Sequence, residues 1–283
     1  MEDVVARASA ELLVGAIVVL VLASALGGLV LRIVRHQSMR GLARTQGWTW
    51  LGRSTDFARL VARAFPELTD RAERSARRSA MQGNRHRSNG ERVAGLAISL
   101  SGVGSRVDAR VRGSHVAVAA LAMGEATVGE VRVSARARNV GIGRRSGGNQ
   151  QRTSSEHGSA AVARLPGSLP TVRLTRRSLL GRLFGGGDDG LPEDLAKKFD
   201  VEELAPDARG ALIDSGAYRP LLADAVDGVT IADGHVAVMS RKRISRARAQ
   251  ALVGTLEELV AAMPGSAWHD PVDDPRLRAP VTE

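Results

Sequence analysis

From Leu12 to Leu31 the chain runs twenty residues without a charge, bounded by Glu11 and Arg32, and thirteen of the twenty are Leu, Val or Ile. As a helix this run is about 30 Å long, the thickness of a bilayer's hydrocarbon core. Ser24 is its one polar side chain. The Ala23-Ser24-Ala25 triplet resembles a signal-peptide cleavage site. However, the apolar run continues past it, and Glu2, Asp3 and Glu11 outnumber Arg7 where a signal peptide carries positive charge. The pattern predicts a retained transmembrane helix, with residues 1–36 as the anchor. Arg32, Arg35, Arg40, Arg44 and Arg53 follow before the first acid, Asp56. The positive-inside rule then places the N-terminus outside and the C-terminal domain in the cytoplasm, on the inner membrane.

Beyond the span, hydrophobic periodicity switches between two and 3.6. GWTWLGR (47–53) predicts a short strand with Trp48 and Trp50 on one face. Ser54 or Thr55 can cap a helix in which Phe57, Leu60, Val61, Ala64 and Phe65 form one stripe, ending near Pro66 and packing on a sheet. A basic, apolar-poor stretch follows, with Arg71, Arg74 and Arg78 on one side of a helix. Period-two patterns at 93–100, 107–111, 115–121, 128–133 and 160–165 predict strands, and Gly141 to Gly158 reads as an exposed flexible loop. Pro206 and Asp207 open a helix containing Leu212 and Ile213. Asp233-Gly234 joins two short strands as a hairpin. A last helix, from about Ser245 to Met263, carries the stripe Leu252, Val253, Leu256, Leu259, Val260 and Met263, before a tail at 269–283. The fold class expected is α+β: an N-terminal transmembrane helix, then a mixed soluble domain (37–268) of antiparallel hairpins and packed helices.

Composition narrows the chemistry. The 283 residues include no cysteine, which excludes disulfides, thiol nucleophiles and Cys-based metal sites. Net charge is +10, but with three lysines among forty basic residues it is written in arginine, as a GC-rich coding sequence would write it. The six histidines stand singly, none at metal-ligand spacing, and are read as structural or solvent-facing. Gly102-Val103-Gly104-Ser105 and Gly141-Ile142-Gly143 lack the Lys-Ser/Thr of a phosphate loop and are read as turns. Asp188-Asp189 lacks the further ligands of a calcium loop. No catalytic, cofactor or metal residue is nominated, and no cofactor is expected.

Short phrases give the chain a resemblance. GLARTQGWTWLGR, AVARLPGSLPTVRLT, SLLGRLFG, AKKFDV, ALIDSGAYRPLLA and VTIADGHVAV, with a closing helix followed by Trp268, succeed one another behind an N-terminal anchor. In this the chain resembles a family of single-pass membrane proteins of high-GC bacteria for which no activity is established. The resemblance spans about Gly41 to Trp268 and implies a membrane-tethered α+β domain, with no functional residues to transfer.

Charge is distributed in blocks. Seven arginines against two acids lie between Arg71 and Arg92, six against none between Arg132 and Arg152, and five basic residues between Arg241 and Arg248. Eight acids against two lysines lie between Asp188 and Asp207. Basic residues beside the leaflet attract anionic headgroups by about 1 kcal/mol each, which makes Arg32, Arg35, Arg40, Arg44, Arg71, Arg74 and Arg78 candidate contacts. A nucleic-acid partner would use the same charge but finds no aromatic stacking platform or recognisable motif. Ala23/Gly27 and Ser24/Gly28 could bring two spans together as a homodimer. The expected function is a membrane-anchored, non-catalytic interaction or scaffold module. The alternatives are a tethered enzyme with an unrecognised site, or a basic domain that binds anionic lipid or nucleic acid.

Overall fold

The computed structural model describes residues 2–88, 106–122, 124–138, 152–165, 171–177 and 191–263. Its centre is an antiparallel sheet built from β1 (Thr49–Gly52), β2 (Arg106–Leu121), β3 (Gly124–Arg138), β4 (Arg152–Arg164), β5 (Val172–Arg176), β6 (Phe199–Leu204), β7 (Gly228–Ala232) and β8 (His235–Ser240). The spatial order is β1-β2-β3-β4-β8-β7-β5-β6. Helices cover both faces. On one lie α2 (Thr55–Ala64) and the first half of α3 (Pro66–Ser88), whose Phe57, Val61, Phe65, Leu68, Ala72 and Ala76 pack on Val116, Val131, Val133, Ala135, Ala160 and Met239. On the other lie the C-terminal end of α1 (Glu2–Thr45) and α6 (Arg246–Ala262), over Ala117, Ala119, Ala126, Val128, Ala161 and Val238. The short α4 (Glu193–Lys198) and α5 (Pro206–Arg209, continued by a wider turn through Asp214) close the β5–β6 end. The fold is thus α+β, an apolar N-terminal helix followed by antiparallel strands and packed helices.

Local chemistry explains most boundaries. Ser54 Oγ accepts from the Phe57 amide at 3.1 Å and caps α2, and Ser245 Oγ does the same for α6 from the Arg248 amide at 3.3 Å. Asp233 and Gly234 both take positive φ, 51° and 68°, which the two-residue β7–β8 turn requires. At Gly113 a Cβ would stand 2.4 Å from Ser54 O, so the N-terminus of α2 can approach β2 only because no side chain is there.

Two expectations need correction. Residues 107–111 and 115–121 are one strand, bent by an irregularity at Ser114–Ala117 where His115 adopts φ 56°. A bulge shifts the alternation by one residue, so period-two counting sees a break. The expected 141–158 loop is also shorter than its composition suggests, because Arg152–Gly158 is already β4, paired with Val131–Ala137. Polar Thr153, Ser154, Ser155 and Glu156 pair as strand because β3 supplies the partner. The predicted strand at 93–100, both glycine fragments, Asp188-Asp189, SLLGRLFG, Trp268 and the 269–283 tail lie outside the described residues. Helix α1 continues unbroken across the 36/37 boundary expected between anchor and domain.

Candidate functional site

Three strands set the geometry. β2, β3 and β4 are long, and past Glu130 they extend as an arm backed on one face by α3 through Leu68, Ala72 and Ala76. Side chains alternate across the arm. One face presents Val107, Val111, Val131, Val133, Ala135 and Ala137 to α3. The register places Arg110 opposite Ser134, Arg112 opposite Arg132 and Asp108 opposite Arg136 on the other face. Thr153, Ser155 and His157 of β4 extend that face. Arg110, Arg112, Arg132 and Arg136 are exposed.

At the foot of the arm this face meets α1 and becomes a buried polar knot. Glu130 is 4% exposed. His157 donates from Nδ1 to its Oε1 at 3.2 Å, and Arg35 Nη1 of α1 approaches Oε2 at 3.9 Å, an ion-pair distance without a hydrogen bond. Arg243 Nη2 in turn donates to His157 Nε2 at 3.2 Å. Both bonds are met together by a neutral imidazole carrying its proton on Nδ1. Burial, then the Arg243 charge, hold His157 below its ordinary pKa, against the pull of Glu130. His115 sits in the same place, lowered by burial against the opposing pull of Glu130, and its ring meets His36 edge-on at 5.8 Å. His36 stacks edge-on against Trp50 at 5.2 Å. Three of the six histidines therefore converge from α1, β2 and β4, which their separation in sequence hid. The signal that could have found them is register: His157 and Arg132 are cross-strand partners, and Glu130 lies two residues from Arg132.

A second knot lies where β5, β7 and β8 end, on the face that carries Leu174, Val229 and Val238. Asp227, 3% exposed, accepts from Arg176, from Ser240 Oγ at 3.3 Å and from the Arg241 amide at 2.8 Å. Burial alone would raise its pKa, but the Arg176 bond and the Arg241 amide outweigh it and hold the carboxyl below its ordinary value. Lys198 donates to Leu221 O at 2.8 Å and to Ala223 O, clamping the 219–223 turn, and burial beside Arg176 brings its pKa to about 8. These groups are consumed by structure: each buried charge has its partners within the fold.

The predicted contacts separate. Arg32, Arg40 and Arg44 are exposed on α1, and Arg35 joins the Glu130 knot. Arg71, Arg74 and Arg78 are on α3, across the sheet from α1. Burial, and then the Arg71 charge, hold Arg241 below its ordinary pKa on the α3 side, whereas Arg243 reaches the α1 side, so the segment 241–248 divides between the faces. Ser24 Oγ donates within its own helix to Leu20 O at 2.8 Å. Among the described residues no group of three or more His, Cys, Asp or Glu is arranged to hold a metal ion.

No family model, curated protein or solved structure matches this chain. The functional reading therefore stands on the helix, the knot and the arm.

Proposed function

We propose that the chain is a single-pass membrane protein whose α+β domain is held against the cytoplasmic leaflet as a non-catalytic interaction module. The observation that carries this reading is within α1. Ile17 to Val34 expose apolar side chains, Leu20 at 70% and Val34 at 56%, while Met39, Leu42 and Ala43 on the same helix are at most 1% exposed in the domain core. The spanning-length window has none of its residues buried. An apolar surface this continuous needs a cover in water, and its length of about 30 Å fits a bilayer. Cleavage after Ala25 would leave Leu26, Leu29, Val30, Leu31, Ile33 and Val34 still exposed on the domain, which speaks for a retained helix. Arg32, Arg35, Arg40 and Arg44 favour the cytoplasm for the domain.

Glu130 and His157 favour a second reading, a tethered enzyme, because they form a hydrogen-bonded acid–imidazole pair. Against it, Nε2, the atom a general base would use, already accepts from Arg243. The test of the main reading is membrane extraction with a reporter fused after Glu283. Retention in the membrane through alkaline washing and a cytoplasmic reporter signal are expected. Release by the wash, or a periplasmic signal, overturns it.

A further inference from the structure

We infer that the uncovered face of the β2–β4 arm is a docking surface for the phosphate headgroups of an anionic leaflet. This rests on the membrane-anchor reading and deepens it by naming the surface and the lipid chemistry.

Three observations converge. First, charge: Arg112 and Arg132 stand directly opposite each other, with Arg110 one pair farther along and Arg136 beyond it. Like charges so placed repel. Asp108 faces Arg136, and Glu130 is engaged by Arg35 and His157, so the register sets no acid opposite Arg110, Arg112 or Arg132. Second, donors: Ser134 and Ser155 lie within the arginine cluster, their hydroxyls 3.2 Å apart, and Arg132 Nη2 donates to Ser155 Oγ at 3.0 Å. Guanidinium and hydroxyl groups together match the acceptors of a phosphate. Third, placement: α1 lies on this same face, meets Glu130 through Arg35, and from Val34 back to Gly15 is exposed, so helix and strands diverge at that level. The arm continues about 20 Å past Glu130. A leaflet beginning where α1 turns from Arg32 to Leu31 lies in the angle between helix and arm, on the arginine side. The opposite face of the arm is filled by α3.

A single surface charge is weak, but each arginine drawn to an anionic leaflet contributes about fivefold to occupancy. The arm therefore fixes the tilt of the domain, and Arg71, Arg74 and Arg78 point away from the lipid.

The absence of native cysteine makes the test direct. The full chain is reconstituted in lipid nanodiscs carrying a headgroup-attached quencher, with a fluorophore at Thr153→Cys on the arm face or at Arg78→Cys on α3. With about 30% anionic lipid, quenching at 153 should exceed that at 78 several-fold. The difference should collapse in zwitterionic discs, at high salt, and in R110E/R112E/R132E/R136E, and should survive in the corresponding Lys variant. The salt arm needs no substitution, so a variant that fails to fold leaves the test intact. Equal quenching at both positions, or indifference to lipid charge, overturns the inference while leaving the anchor in place. Protection of position 153 by an oligonucleotide at physiological salt, in preference to anionic lipid, also overturns it. Failure of the chain to enter discs overturns the anchor reading itself.

Discussion

One face of the same three strands meets two different surroundings. Below Glu130, Ala117, Ala119, Ala126, Val128, Ala161 and Ala163 are buried beneath α1 and α6. Above it, the same alternation carries Arg112, Arg110, Arg132, Ser134 and Arg136, largely exposed. Pairing of β3 with β4 runs through the boundary in unbroken register, while β2 bulges there between Ser114 and Ala117, which keeps Arg110 and Arg112 on the face of Ala117 and Ala119. The side-chain chemistry changes at the same level, and Glu130, His115 and His157 mark the line. Small alanines let helices approach the sheet closely, and arginines keep any helix off. The sheet's backbone pairing therefore does not decide what covers it; the covering is decided one alternate residue at a time.

The sharpest way to break the comparison is to move the chemistry of one half into the other. Val128→Lys puts a charge with no partner under α1 and should cost more than about 4 kcal/mol, read as a collapse of the thermal transition of the detergent-solubilised protein. A tolerated lysine would mean the α1–sheet packing is not part of the core. At the boundary, Glu130→Ala removes the acceptor of His157 and the partner of Arg35, and a loss of about 1–3 kcal/mol is expected in the same melt.

Mild acid should act on the boundary. Burial holds His157 and His115 below the ordinary histidine value of 6.5, so below about pH 6.5 the unfolded chain binds protons that the folded chain resists. Stability from these groups is full above that pH and declines as pH falls through the depressed values. A melting series across pH 7.5 to 5 in wild type and His157→Gln checks it: the variant should have the shallower slope, and equal slopes would remove His157 from the account. The smallest effect belongs to the basic half. Arg112→Ser with Arg132→Ser should change stability by no more than about 0.5 kcal/mol, or raise it by relieving the facing charges. A large loss there would mean these arginines hold the fold rather than a ligand.

Much of the domain outside the knot and the arm was legible. The α2 and α6 stripes, the Asp233-Gly234 hairpin and the Ser54 cap follow from spacing and turn chemistry that act within a few residues. The knot was not, because Arg35, His115, Glu130, His157 and Arg243 are brought together only by strand register and by the docking of α1. The arm was half legible: Val131 and Val133 announced an alternating strand, but a polar run such as Thr153-Ser154-Ser155-Glu156 becomes strand only by pairing with β3. The arginine blocks pointed to a charged surface, yet blocks in sequence are not faces in space, and Arg71 to Arg78 fell on the opposite side of the sheet from Arg132.

The central claim is that α1 passes from lipid into the domain core as one helix. Labelling Ser24→Cys and Ser38→Cys with a membrane-impermeant maleimide tests it most directly. In intact membranes position 24 should stay unlabelled until the protein is denatured, while position 38, half-buried at the domain surface, should react only when the reagent reaches the cytoplasmic side. Labelling of position 24 at a solvent rate in intact membranes would contradict the account.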